Sequence, residues 1–190
     1  MNSAIRTTLG RLAVLGTMLF PASAGDLSQR AVNDPGAYWG IWGGAKASYV
    51  ATSSLKGGAA QRVSITPKPA KAWDAGTYAA ITKPVKKGDV LVLMFYARAE
   101  SPPEGSDLVL VTGRIYEAGP AGSGVSPETN FIIGQQWKLY TSSGIAMKDY
   151  PPGTLSAGMV LGTGEQVIDF GPVAILDMGP NYNLNNLPHS

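Results

Sequence analysis

A serine or cysteine nucleophile needs a neighbouring base, usually histidine. This 190-residue chain has one histidine, His189, set in the polar, Asn-rich segment 181–190, and no cysteine. That leaves no material for a triad. The glycine fingerprints that cradle phosphates, the nucleophile elbow and the His-based metal motifs are also absent from the sequence. Glycoside hydrolysis asks for less, only two carboxylates at a defined separation. The candidates are Glu100, Glu104, Asp107, Glu117, Glu128, Asp149, Glu165 and Asp169. Most lie beside turn residues, where acidic side chains are solvated, and no pair sits in a catalytic context. The expectation is a protein that is not an enzyme, with a small carbohydrate-active hydrolase as one alternative.

Non-covalent recognition needs other residues. Trp and Tyr join a large apolar face to a polar edge, which suits sugar rings, and the chain holds 4 Trp and 8 Tyr against 4 Phe. Trp39 and Trp42 fall in the Gly-rich stretch Tyr38-Trp39-Gly40-Ile41-Trp42-Gly43-Gly44, which reads as a loop. One is expected to pack on the edge of the fold and the other to line a ligand rim; spacing alone does not say which. Gln135, Gln136 and Gln166 are candidate partners for hydroxyls, with solvent exposure as the alternative.

The elements that would carry these residues are short. With 24 Gly and 14 Pro, long helices have no room, and turn-bounded apolar runs recur, which is the mark of an all-β sandwich or barrel. In Val90 to Ala99, Leu91, Leu93, Phe95 and Ala97 form the uniformly apolar face and should point into the core, leaving Met94, Tyr96 and Arg98 outside. Leu108 to Tyr116 alternates likewise, with Arg114 and Tyr116 on its second face. Further strands are predicted at Ala59 to Thr66, Gly76 to Ile81, Asn130 to Ile133, Trp137 to Ser142, Ser156 to Leu161 and Gln166 to Leu176. Gly171-Pro172 inside the last requires an edge position or a bulge.

The N-terminus carries Arg6 and Arg11, an apolar run from Leu12 to Phe20, and Ala22-Ser23-Ala24. Residues 1–24 are therefore predicted to be a secretory signal peptide, the run being too short to span a bilayer. Residues 25–32 form a lead-in, 33–179 one domain, and 180–190 a polar flexible tail. Without Arg6 and Arg11 the chain has 13 basic and 13 acidic side chains. Such a balance offers no footprint for nucleic acid. The expected location is secreted or periplasmic, with no membrane span.

Three stretches of the first half resemble the family 4/9/22-type carbohydrate-binding modules: Ala59 to Ile65, Ala72-Trp73-Asp74, and Ile81 to Asp89 running into Leu91 to Ala99. Gln136 to Tyr140, Leu161-Gly162 and Gln166 to Val173 continue the likeness. The resemblance covers roughly Asn33 to Gly179 and implies a galactose-binding-domain-like jelly-roll β-sandwich of two antiparallel sheets. It implies a buried core Trp at Trp137, and a sugar cleft on the outer face of one sheet that would hold Tyr96 and Arg98, with Trp73 closing one end and Arg114 and Tyr116 extending the surface; the alternative is that Tyr96 and Arg98 merely cover the convex side, with the Arg stem lying on Met94. It also implies a structural calcium ion, for which Asp177 is the residue to test, with Asn33 or Asp34 beside it; the alternative is a plain turn aspartate. The function so implied is binding of a polysaccharide or glycan without changing it. A structural or protein-interaction module of the cell envelope is the other alternative.

Overall fold

The computed structural model describes residues 28–34, 36–118, 124–126 and 128–187; the expected signal peptide lies outside them. Among the described residues there are ten strands: β1 (Gly40–Gly43), β2 (Ala45–Ala51), β3 (Ala59–Ile65), β4 (Ala75–Ile81), β5 (Asp89–Ser101), β6 (Val109–Glu117), β7 (Thr129–Ile133), β8 (Lys138–Ile145), β9 (Leu155–Val160) and β10 (Gln166–Pro180). They form two five-stranded sheets with every described pairing antiparallel. The front sheet runs β1-β4-β9-β6-β7 and the back sheet β2-β3-β10-β5-β8. This is the all-β sandwich of two antiparallel sheets that the resemblance implies; the turn-punctuated runs alone leave a barrel open. No helix among the described residues is long and apolar enough to cross a membrane.

The core lies between the sheets. Leu91, Leu93, Phe95 and Ala97 of β5 are at most 1% exposed and meet Ile168, Phe170, Val173 and Ile175 of β10 and, from the front sheet, Val111, Ile115, Ala157 and Met159. Each fully buried Leu or Phe contributes about 1.5–3 kcal/mol, so the side-chain period of two fixes which face of β5 turns inward. Phe95 is its aromatic centre, with Trp39, Phe131, Tyr140 and Phe170 within 6.2 Å, centroid to centroid.

Several expectations are corrected. The Gly-rich segment around Trp39 is not a loop throughout: Gly40–Gly43 is a strand, and the chain then turns into β2 of the other sheet. At that corner Gly43 has φ +61°, and a Cβ there would sit 1.8 Å from the Asp74 carbonyl oxygen, so only glycine fits. Trp137 is not a core residue: it is half-buried on the outer side of the back sheet, where the Arg98 guanidinium lies 5.6 Å from its ring centre. Tyr140, three residues on, fills the interior instead. β10 takes a central place, so Gly171-Pro172 is not at an edge; the ladder to β5 shifts register between Phe170 and Val173, which is the bulge. The tail is packed as far as Leu187, since Tyr182 and Leu187 lie with Met178 against Val90, Val92 and Leu176.

That packing closes much of the back sheet's outer surface. Leu55, from the β2–β3 connection, covers Gly171. Between these covers Asp169, fully buried, accepts from Arg62 Nε at 2.8 Å and Nη2 at 3.0 Å and from Arg98 Nη2 at 2.8 Å and Nε at 3.0 Å. Glu100 pairs with both arginines. Arg62, Asp169 and Arg98 are direct cross-strand neighbours on β3, β10 and β5.

Candidate functional site

Among the described residues the front sheet's outer face is open, and its register explains its shape. One row of directly paired, outward-facing residues crosses all five strands: Trp42 to Gly76, Gly76 to Val160, Val160 to Thr112, and Thr112 to Asn130. The next row runs from Gly40 to Tyr78, Gly158 and Arg114. Glycines alternate with rings in these rows, so the rings can lie flat. A Cβ on Gly76 would fall 2.1 Å from the Trp42 indole, and one on Gly158 would fall 2.8 Å from the Tyr116 ring. A side chain at either position would lift an aromatic plane off the sheet.

The outcome is a groove of about 500 Å³ lined by Trp42, Ala72, Trp73, Thr112, Gly113, Arg114, Tyr116, Glu128, Gly158 and Val160. Trp73 stands on its rim in the short 3-10 turn Ala72–Asp74 that precedes β4, and is 63% exposed. The indole N–H of Trp42 donates to the Trp73 carbonyl at 3.1 Å, tying floor to rim. Lys71 Nζ sits 5.6 Å from the centre of the Trp73 ring.

Polar groups converge on the same space. Arg114 lies 5.6 Å from the Tyr116 ring centre and pairs with Glu128 at 3.2 Å, which holds its guanidinium over the groove. Burial pushes the Tyr116 phenol above its ordinary range, partly offset by Arg114 and reinforced by neighbouring Tyr78, so at neutral pH it is a protonated donor. Thr112 Oγ1 donates to Asn130 Oδ1 at 2.8 Å. The Asn130 amide hydrogens remain as donors at the β7 end.

The structure splits the residues singled out in the sequence. It brings Trp42, Trp73, Arg114 and Tyr116 together. Tyr96 and Arg98 are on the opposite side of the sandwich, on β5 of the back sheet, so the single surface expected to join Tyr96 and Arg98 to Trp73, Arg114 and Tyr116 does not exist. Arg98 is engaged by Asp169, Glu100 and Trp137. Trp39 is 2% exposed and belongs to the core, where Gln61 clasps its backbone, Nε2 donating to Trp39 O at 2.8 Å and Oε1 accepting from Trp39 N at 3.0 Å. Sequence reasoning missed Tyr78, Thr112 and Asn130. Their outward phase follows from alternation once the strand is recognised, but nothing in alternation says that β6 and β4 share a sheet.

The donors around Asp177 do not fit a calcium shell of about 6 to 8 oxygens. Asn33 spends its amide on the backbone, Oδ1 accepting from Ile175 N at 2.7 Å and Nδ2 donating to Val173 O at 3.0 Å. Asp34 Oδ1 accepts from Gly36 N, and Asp177 Oδ1 accepts from Gly179 N. The Arg30 cation interacts with Asp177. Among the described residues no three acidic or histidine side chains cluster where an ion could be held.

No family model matches the chain, and no curated protein does. Solved structures do. A family 4 carbohydrate-binding module superposes with a TM-score of 0.56 at 16% identity, over 73% of this chain and 94% of that one. The first xylan-binding family 22 module of Paenibacillus barcinonensis Xyn10C gives 0.53 at 15%, over 79% and 92%. The N-terminal cellulose-binding domain of Cellulomonas fimi β-1,4-glucanase C gives 0.51 at 15%, over 73% and 88%. These matches span almost the whole of each module, and together with the two five-stranded antiparallel sheets they establish that the chain has the carbohydrate-binding-module fold.

Proposed function

We propose that this is an exported, non-catalytic protein that binds a polysaccharide or glycan in the front-sheet groove. The observation that carries the reading is the row from Trp42 to Asn130. It is an open floor crossing five strands, about 19 Å at strand spacing, with aromatic planes on its floor and rim and donors at Arg114, Tyr116 and Asn130. Flat rings suit the apolar faces of pyranoses, and fixed donors suit their hydroxyls. A glycosidase would need two facing carboxylates. Among the described lining residues Glu128 is the one carboxylate, and it is paired with Arg114. Neighbours whose names specify xylan and cellulose support a plant-type β-linked chain as the first ligand to try. Export rests on the leader pattern of residues 1–24.

The test is a panel of soluble and insoluble polysaccharides incubated with the mature protein, with bound protein and released reducing sugar measured in the same tubes. Retention on at least one glycan without product is the expected result. Release of product would make the protein an enzyme, and retention on no member would leave the interaction-module alternative.

A further inference from the structure

We propose that a second hollow on the front sheet, beside the groove, takes a single uncharged sugar branch, so that the preferred ligand is a decorated chain rather than a bare one. This rests on the glycan-binding reading of the groove.

The hollow has a volume of about 210 Å³ and lies at the β1–β4 end of the sheet. Drug-sized ligands and short chains occupy clefts of about 300–1,000 Å³, so this one suits one ring. It adjoins the groove through the second row, in which Tyr78 pairs with Gly158 of the groove lining on one side and Gly40 on the other. The divide between the two hollows is low, because the rings there lie flat. A Cβ on Gly40 would be 2.5 Å from the Tyr78 ring, and one on Gly158 2.8 Å from that of Tyr116. A main chain lying over Tyr116 therefore has room to send one substituent across Tyr78.

The polar lining limits what that substituent is. Thr82 and Asn33 line the hollow but are already committed, Thr82 Oγ1 to Val32 O and the Asn33 amide to Val173 O and Ile175 N. Besides the Tyr78 phenol, the ligand is left with Tyr38 and Asp34. The Tyr38 ring is fixed edge-on against Tyr49 at 4.7 Å. Asp34 uses Oδ1 to accept from Gly36 N, which leaves Oδ2 as a charged acceptor. Such an acceptor bonds neutral hydroxyls strongly and repels a uronate. The hollow is thus specified for a neutral, hydroxyl-rich ring stacked on Tyr78.

Titration calorimetry with matched probes tests this: xylotetraose against arabinose-substituted xylotetraose, and cellotetraose against xylose-substituted cellotetraose. The parent should bind one decorated probe at least about fivefold more tightly than its bare partner, the worth of one or two net hydrogen bonds. Asp34→Asn with Tyr38→Phe keeps the Gly36 and Tyr49 contacts and should erase that preference while leaving the bare probe's Kd unchanged. Equal binding of bare and decorated probes by the parent would overturn the branch site and leave the groove standing, as would equal losses for both probes in the variant. Binding of neither pair would overturn the branch site, and the groove reading would then be decided by the polysaccharide panel.

Discussion

The Trp42 indole lies flat across Gly76, its direct cross-strand partner, and its N–H reaches the Trp73 carbonyl at 3.1 Å. The absence of one side chain therefore sets the height of the groove floor and, through the hydrogen bond, the position of its rim. Gly76→Val should lift Trp42 and break the link to Trp73. The added Cβ would also fall 2.3 Å from the Met159 carbonyl oxygen, backbone that cannot yield cheaply, so the variant should lose stability as well. The expected result is a lowered but still cooperative thermal transition and, well below that transition, glycan affinity reduced at least tenfold, measured by affinity electrophoresis. Parental affinity in a folded Gly76→Val protein would mean that Trp42 does not form the floor.

Asp169 is a stability residue. Its carboxylate is fully buried and takes four hydrogen bonds from Arg62 and Arg98, and removing one member of a buried ion network costs about 3–5 kcal/mol. The arginines are about 30% exposed and Glu100 remains beside them, which places Asp169→Ala near the lower end of that range. Urea denaturation should show the loss, and glycan affinity at the front sheet should not change. A loss below about 1 kcal/mol would mean that solvent and Glu100 compensate.

Why the sequence yields this fold but not its site is visible in the same residues. The inward face of β5 is apolar at every position from Leu91 to Ala97, so periodicity alone orients it. Strand partnership has no such local signature: Tyr96 with Arg98 and Tyr116 with Arg114 show the same Tyr-and-Arg pattern, yet the pairs lie on opposite sheets. β1 and β2 escaped notice because Gly40, Gly43 and Gly44 read as turn residues, and only the outer-face rings explain a glycine inside a strand. Trp137 misled because the resemblance implies a buried Trp where this strand opens, whereas here the ring lies outside and Arg98 covers it.

Asp177 predicts a pH dependence. Burial pushes its carboxyl up, partly offset by the Gly179 N–H, and the facing Asp89 carboxylate adds to the rise. A folded-state value above the unfolded one of about 3.9 means that the folded protein binds this proton more tightly. The contribution to stability is full below that unfolded value and is lost as pH rises through the folded one. At pH 7 the two carboxylates repel, so Asp177→Asn, which keeps an acceptor for Gly179, should raise the melting temperature. The gain should shrink to nothing below about pH 4. A variant less stable than the parent at pH 7, with the deficit abolished by chelator in the parent, would instead show that Asp177 holds a cation.

The two faces of the sandwich can be told apart by three substitutions made in parallel. Trp73 on the front rim is 63% exposed, whereas Tyr96 is 39% exposed and Trp137 half-buried on the back. All three offer a ring to solvent, so exposure alone does not choose among them. Context does. Trp73 adjoins an open groove with Trp42, Arg114 and Tyr116, while the rings on the back stand beside a charge network that is already satisfied and a sheet surface covered by Leu55 and the terminal segments. Loss of one stacked ring costs on the order of 1–3 kcal/mol in the comparable stacking of bases, so Trp73→Ala should weaken glycan binding by about fivefold or more. Tyr96→Ala and Trp137→Ala should bind as the parent does, the latter with a small loss of stability as Arg98 loses its cover. The opposite pattern, with Tyr96→Ala or Trp137→Ala defective and Trp73→Ala intact, would move the ligand to the back sheet and remove the groove from consideration.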